Sequence, residues 1–337
     1  MEEALPPIIE IKALCKYFPI KQTNLFDREE KFVHAVDDVS LVVGVAEVLA
    51  LVGESGCGKS TLALTLMGLE KTTSGSLQIA GQEVTELKGS GLRAMRRNIQ
   101  MIFQDPYESL NPLMSIGDIV AEPLKVHGLV KDKQARQERV LLALEDAGLK
   151  PAASFIQRLP HELSGGQRQR VVIAAALVLE PKVLLADEPV SMLDVSIRAE
   201  ILNLLLELRE RRGVSILMIT HDLGTVGYVA DRIAVMYLGR IVEIGPTLSI
   251  MQNPQHPYSK ALLSVAPVPN PRQRRERIIL QGETPNPIDL PPGCRFHPRC
   301  PVAQPHCSQI DPRLRLIPAG HEVACLEVEP KITTRPG

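Results

Sequence analysis

The chain has 337 residues, a 45% hydrophobic fraction and a formal net charge of −1, enough apolar content for one large core or two domains. That charge balance, together with 3% aromatics and no tryptophan, argues against a polyanion partner and against base-stacking platforms, so no nucleic-acid partner is expected. No apolar run approaches the roughly 20 residues of a membrane span, and Met1 to Pro7 lack the basic start and apolar run of a signal peptide, so a cytosolic chain is expected.

Ile8 to Ala13 alternates like a strand and leads to Lys16, Tyr17 and Phe18. An aromatic there can stack on a purine, Phe18 first and Tyr17 second, although a core or edge aromatic is the commoner role for such a residue. Pro19 to Lys31 is polar and reads as a loop or insertion, and His34 to Val45 alternates again. Val48 to Val52 reads as a buried strand. It delivers Gly53-Glu54-Ser55-Gly56-Cys57-Gly58-Lys59-Ser60-Thr61, and Thr61 to Met67 continues as a helix. This is the phosphate-binding pattern G-x-x-x-x-G-K-S in its proper setting. Glycines let backbone N–H groups turn inward around a phosphate, Lys59 can reach the β- and γ-phosphates, and the Ser60 hydroxyl can ligate Mg²⁺.

Ser74 to Ser76 reads as a turn, Leu77 to Gly81 as a short strand and turn, and Glu86 to Arg97 as partly helical. Ile99 to Phe103 reads as a buried strand that ends at Gln104, whose amide can ligate Mg²⁺ or hold an attacking water. From Pro112 to about Leu159 the pattern is helical, an insertion in an α/β core. Leu163-Ser164-Gly165-Gly166-Gln167 then opens a helix running to Glu180; free N–H groups and a hydroxyl there form a second anion site or a plain helix cap. Val183 to Ala186 reads as a parallel strand ending in Asp187 and Glu188. Asp187 can hold Mg²⁺ through water, and Glu188 can take a proton from a water attacking the γ-phosphate. Ser196 to Arg212 reads as a helix, and the strand Val214 to Thr220 ends at His221, placed to contact the γ-phosphate. Ile233 to Leu238 and Ile241 to Gly245 read as a β-hairpin rather than another βα unit.

Near Pro246 the composition shifts. About half of the 27 prolines lie beyond Ala266, with a basic run at Arg272, Arg274, Arg275 and Arg277, which reads as a separate, loop-rich appendage. Cys294, Cys300, Cys307 and Cys325 cluster in it. Structural disulfides do not suit a cytosolic chain, so these thiols suggest zinc or a [4Fe–4S] cluster. The spacing has no C-x-x-C pair, which weighs against a zinc ribbon; unligated buried cysteines remain the alternative, and His297 and His306 are possible substitute ligands.

Taken in order, the phosphate loop, Gln104, Leu163 to Gln167, the Asp187–Glu188 strand end, Ser191 to Asp194 and His221 resemble the ATPase subunit of an ATP-binding-cassette (ABC) transporter over about residues 8–250. His256-Pro257-Tyr258-Ser259-Lys260-Ala261-Leu262-Leu263 looks like the C-terminal extension of oligopeptide/dipeptide importer ATPases. The resemblance implies an α/β P-loop ATPase core at 1–250, a helical subdomain at about 110–180, and a Cys/Pro-rich extension at 251–337. It implies ATP stacked on Phe18 and held by Gly53 to Thr61, Mg²⁺ on Ser60 and Gln104, Asp187 on the Mg²⁺ side, Glu188 as base and His221 as γ-phosphate switch. Ser164, Gly165, Gly166 and Gln167 would contact ATP bound to a second, different ATPase subunit, and Asp194 would cross that interface; Met192 departs from the family's small residue there. Two membrane permeases and an extracytoplasmic substrate-binding protein are the other implied partners, with the chain peripheral on the cytoplasmic face of the membrane. Related tails resemble iron–sulfur carriers, which favours [4Fe–4S] over zinc. The expected function is ATP-driven peptide import. Nickel or oligosaccharide import, a soluble non-transport ATPase and a non-hydrolysing regulator are the alternatives.

Overall fold

Two apolar periodicities build the protein: strands buried on both faces and helices buried on one. The computed structural model describes residues 6–20, 30–265 and 277–329. Arg272, Arg274 and Arg275 of the basic run therefore lie outside the described residues. In chain order, β1 (Ile9–Pro19), β2 (Phe32–Val43) and β3 (Val48–Val52) lead into α1 (Lys59–Leu66). Then come β4 (Ser74–Ile79), β5 (Gln82–Glu83), α2 (Gly89–Asn98) and β6 (Ile99–Ile102). A helical stretch follows: α3 (Pro106–Ser109), α4 (Ile116–Val126), α5 (Lys133–Asp146) and α6 (Gly165–Leu177). The chain returns to the sheet with β7 (Val183–Asp187), α7 (Val195–Arg212), β8 (Ser215–Thr220), α8 (Leu223–Val229), β9 (Arg232–Tyr237) and β10 (Arg240–Pro246). It closes with α9 (Thr247–Gln252), α10 (Pro257–Ser264), β11 (Arg315–Leu316) and β12 (Glu322–Val323).

The larger sheet has the order β11-β12-β10-β9-β3-β8-β7-β6. Its β9-β3-β8-β7-β6 half is parallel. Residues Val48–Val52 are fully enclosed because alternate side chains enter different cores. Leu49 and Leu51 meet the smaller antiparallel sheet, β2-β1-β4-β5, while Ala50 and Val52 meet α8 and α10. On β7 and β8, Leu184, Ala186, Ile216 and Met218 pack instead against α4, α5, α6 and α7. Register aligns the strand ends: Val52 sits beside Thr220, Ile219 beside Asp187, and Ala186 beside Ile102. The residues that leave these ends therefore share one rim, where open α/β sheets bind ligands.

Three expectations change. Ser74 to Ser76 is no turn; it opens β4, with Ser74 opposite Cys15 and Ser76 opposite Lys12. Gly75 is there because a Cβ would come within 2.4 Å of the Ala13 carbonyl oxygen, so it marks close strand approach. The pair β9–β10 is an antiparallel hairpin, yet β9 also pairs parallel with β3 after α8, so the chain does make a further βαβ unit. That seven-residue helix hides in the sequence because its length is below two full turns; Asp222 caps it, accepting from Gly224 N at 3.0 Å. Finally, the tail is not separate: β12 pairs with β10 and so extends the core sheet.

The junction is aromatic and ionic. Tyr237, Tyr258 and Phe296 are fully buried, with ring centroids 4.7, 5.2 and 5.5 Å apart. Each such pair adds about 0.5–1.5 kcal/mol beyond its buried area. Beside them Glu243, wholly buried, accepts from Gln255 N at 2.8 Å and His256 N at 3.1 Å and lies 2.7 Å from His321 Nε2. His256 is itself enclosed. Burial, with Lys260 adding to it, pushes its pKa down to about 3, so the ring stays neutral and its Nδ1 accepts from Tyr258 N at 3.1 Å.

Candidate active site

A cleft of about 730 Å³ opens on the rim of the parallel strands. Phe18 and Val33 line one side, the loop residues Ser55, Gly56, Gly58, Lys59, Ser60 and Thr61 the floor, and Gln104, Asp187, Glu188 and His221 the other side. Each part arrives at the end of a different strand, which is why residues up to 203 positions apart (18 to 221) meet. Tyr17, the second choice for a stacking ring, turns away and donates its hydroxyl to Asp37; Phe18 is the aromatic that faces the cleft. The Lys16 ammonium lies 4.4 Å from the Phe18 ring centre.

The loop is closed on itself. Lys59 Nζ donates to Gly53 O at 2.8 Å and Glu54 O at 2.9 Å and lies 3.6 Å from Cys57 Sγ. An arriving phosphate would compete with those carbonyls for the ammonium. Cys57 is buried beneath the loop, and burial pushes its thiol pKa up. Gly53, Glu54 and Cys57 do not line the cleft; they form the back of the loop. Asp187 is shielded, and burial raises its carboxyl pKa against the opposing hydrogen bond to Ser60. A carboxyl and a hydroxyl in contact beside a lysine are a donor set for a hydrated Mg²⁺.

Glu188 sits between two partners. His221 Nδ1 lies 2.7 Å from its Oε1, and Gln104 Nε2 donates to its Oε2 at 3.3 Å. Glu188 itself has φ of 47°, a left-handed backbone that costs a non-glycine residue about 1–2 kcal/mol and re-aims its side chain away from the strand line. Strain of that kind persists where surrounding packing enforces it.

Ser164, Gly165, Gly166 and Gln167 are not in this cleft. They form the N-terminus of α6 as a capping box: Ser164 Oγ accepts from Gln167 N at 3.3 Å, and Gln167 Oε1 accepts from Ser164 N at 3.1 Å. The Ser164 hydroxyl proton is left free by that arrangement. Asp194 precedes α7 and is exposed, as is Met192. In the tail, Cys294 and Cys300 are partly buried, and Cys307 and Cys325 are buried. Each of the four thiols acts electrostatically on the other three. Burial first, and then its three neighbours, push the Cys294 thiol up to about 11. His306 lies apart from them on the rim, 2.7 Å from Glu327, and His297 Nδ1 is 2.9 Å from Cys294 O.

Residues 36–191 match the family described as ABC transporter, and residues 242–307 match the oligopeptide/dipeptide transporter C-terminal region. The chain is 47% identical to the oligopeptide transport ATP-binding protein AppF of Bacillus subtilis, covering 94% of this chain and 96% of that one. It belongs to the ABC transporter family. Other ABC relatives include the oligopeptide transport ATP-binding protein OppF of Escherichia coli, 46% identical over 96% of this chain and 97% of that one. The dipeptide transport ATP-binding protein DppF of Haemophilus influenzae is also 46% identical, with the same two coverages. Among solved structures, a dimeric post-hydrolysis state of the ATP-binding cassette MJ0796 bound to ADP and Pi superposes with a TM-score of 0.62. It is 29% identical and covers 71% of this chain and 98% of that chain.

Sequence reasoning missed the tail's share in this ABC site. Pro287 lines the cleft, and its carbonyl accepts from His34 N at 3.0 Å. Arg299 and Thr284 hold the Glu54 carboxylate, and Tyr258 Oη accepts from Glu54 N at 2.8 Å. Separations of 204 to 253 residues leave no local signal for such contacts.

Proposed function

We propose that this chain is the ATP-hydrolysing subunit of a peptide importer, lying against the cytoplasmic face of the membrane. The observation that carries the reading is the single rim on which Lys59, Ser60, Gln104, Asp187, Glu188 and His221 converge beside Phe18, in a chain with an oligopeptide/dipeptide transporter C-terminal region. No helix among the described residues is long and apolar enough to cross a membrane, which suits a peripheral subunit.

In the proposed cycle ATP stacks on Phe18, and the backbone of Ser55 to Thr61 surrounds its phosphates. Lys59 exchanges its carbonyl partners for phosphate oxygens. Ser60 and Gln104 hold Mg²⁺ with Asp187 behind; bound there, the ion neutralises charge on the β- and γ-phosphates. Glu188 accepts the proton of the attacking water, and His221 orients that carboxylate and senses the γ-phosphate. Ser164 to Gln167 complete the site of a second ATPase subunit, because they stand outside their own cleft. The printed dimer of the ABC relative MJ0796 supports such pairing. A different ATPase chain is the proposed partner, with Asp194 at the seam. Two permeases would dock on the helical stretch, where Phe103, Leu113 and Val126 are exposed beside a groove lined by Leu110, Ile119 and Pro123. A substrate-binding protein on the far side would deliver the peptide.

In vesicles holding the permeases and partner subunit, ATP hydrolysis should rise severalfold when the binding protein carries peptide. Stimulation only by a nickel- or oligosaccharide-loaded protein would overturn the peptide reading, and phosphate release indifferent to the permeases would overturn the transport reading.

The four cysteines are proposed to hold a [4Fe–4S] cluster. Sulfurs on one tetrahedral zinc lie about 3.8 Å apart, from a Zn–S length of about 2.3 Å. Among the described residues no three of these four thiols come within 4.8 Å of one another, though all six pairs interact. That wider spacing suits a centre in which each sulfur sits on its own iron. Four thiolates brought together also need a cationic centre to offset their repulsion. Anaerobically purified protein should carry stoichiometric iron and absorb near ~400 nm, and Cys300→Ser should lose both. Zinc in place of iron, or no metal, would overturn this assignment.

A further inference from the structure

Glu54 lies inside the phosphate-binding loop and is an acid next to a site for a polyanion. Its carboxylate accepts from Arg299 Nη1 at 2.8 Å and Nη2 at 3.3 Å, and from Thr284 Oγ1 at 2.8 Å. Its N–H donates to Tyr258 Oη at 2.8 Å, and its carbonyl accepts from Lys59 Nζ at 2.9 Å. Every polar group of this loop residue is thus engaged, and three of the five partner groups are side chains from beyond residue 257. The Arg299 side chain is only 9% exposed and that of Glu54 30%. Its guanidinium also lies 6.0 Å from the Tyr237 ring centre. The fork is therefore fixed by packing rather than left as a solvated surface pair.

We propose that Arg299 is a positioning residue for ATP binding, holding and neutralising Glu54 so that the phosphate-binding loop presents a net cationic face to the nucleotide. This rests on the reading of Gly53 to Thr61 as the ATP site. The physical case has two parts. An unpaired carboxylate a few ångströms from the triphosphate repels it by an amount on the order of kcal/mol at the dielectric of a partly open site. The same carboxylate would also draw the Lys59 ammonium to itself, because Lys59 already bonds to the Glu54 carbonyl. Arg299 removes both effects. Burial by itself would raise the Glu54 carboxyl pKa; the hydrogen bonds from Arg299 and Thr284 bring it below the ordinary value, so the acid is held charged and paired. A tether that only fastened the tail would have no reason to end on an acid of the nucleotide loop.

The test is a charge-rescue cycle on the full chain, read by equilibrium binding of a fluorescent ATP analogue and by steady-state hydrolysis. Arg299→Ala should weaken ATP binding about tenfold and raise KM in step, with kcat at saturating ATP within about twofold. The loss should be larger for ATP than for ADP and shrink at high salt. Adding Glu54→Gln to Arg299→Ala should restore affinity to within about threefold of the wild type, because the uncompensated charge is gone. Unchanged ATP affinity in Arg299→Ala, or a double variant as weak as the single one, overturns the proposal. If Arg299→Ala does not fold, Arg299→Lys keeps the charge and loses the fork; it should weaken ATP about threefold, and wild-type affinity there overturns the proposal equally. Failure of the wild-type chain to bind ATP would instead overturn the reading of the loop itself.

Discussion

Glu188→Gln should bind ATP normally and hydrolyse it on the order of 10²- to 10⁴-fold more slowly, the range over which a general base acts. The substitution keeps the shape of the side chain and its contact with Gln104, whose amide donates at 3.3 Å to the oxygen that Gln retains. What it removes is the proton acceptor and the partner of His221, 2.7 Å away. Binding should survive because none of the phosphate contacts is altered; Lys59 and Ser60 stand on a different strand end. With hydrolysis blocked, ATP stays as the ligand of the closed pair, and the paired state should accumulate in size-exclusion chromatography with ATP and Mg²⁺. Turnover near the wild-type rate would remove Glu188 from the role of base. His221→Ala should give a smaller loss, since it acts through the carboxylate.

Gly58→Ala should be the most damaging single methyl group in the chain. Gly58 has φ of 108°, and a Cβ there would stand 2.0 Å from the Ala35 carbonyl oxygen on β2 and 2.9 Å from the Met236 side chain. Neither the backbone of β2 nor the loop can give way without loosening Val33 and Ala35, which line the same cleft. A loss of more than about 3 kcal/mol of unfolding free energy is expected, with loss of ATP binding. Gly56→Ala is the control: its φ is 78°, but nothing lies within 4 Å of the added methyl, so only about 1–2 kcal/mol of backbone cost applies. Chemical denaturation of both variants checks this. Equal losses would mean that close approach to β2 is not what demands glycine at 58.

The ATP cleft was legible in the sequence because parallel strands announce themselves. Val48–Val52 and Val183–Ala186 are unbroken apolar runs, and the polar residue that follows each run must face the rim. Gln104, Asp187, Glu188 and His221 were found that way, each as the first polar side chain past a buried strand. The choice of Phe18 over Tyr17 followed from spacing upstream of the loop, and alternation along β1 sends the two rings to opposite sides. Short elements set by tertiary contact were not legible. Ser74 to Ser76 carries turn residues yet pairs with β1, because β1 offers it partners the local sequence does not encode. The two-residue strands β11 and β12 have no periodicity to read, and they exist because β10 offers an open edge. Arg299 looked like one more basic residue beside a cysteine until the fold brought it to Glu54.

That pairing of β12 on β10 also bears on how the protein stays monodisperse. Glu243 faces Val323 and Ile244 faces Glu322, so the open flank of an eight-stranded sheet is occupied by a piece of its own chain. The outermost strand, β11, spans two residues, and Pro312 and Pro318 lie close on either side of it. A stub so short, hemmed by residues without amide donors, gives a neighbouring molecule almost nothing to add a strand to. The cysteine-bearing tail thereby serves as a sacrificial border for the sheet. Without it, β10 would offer the naked amide and carbonyl ladder of Arg240–Pro246 to any other exposed strand, and edge-to-edge association would compete with function.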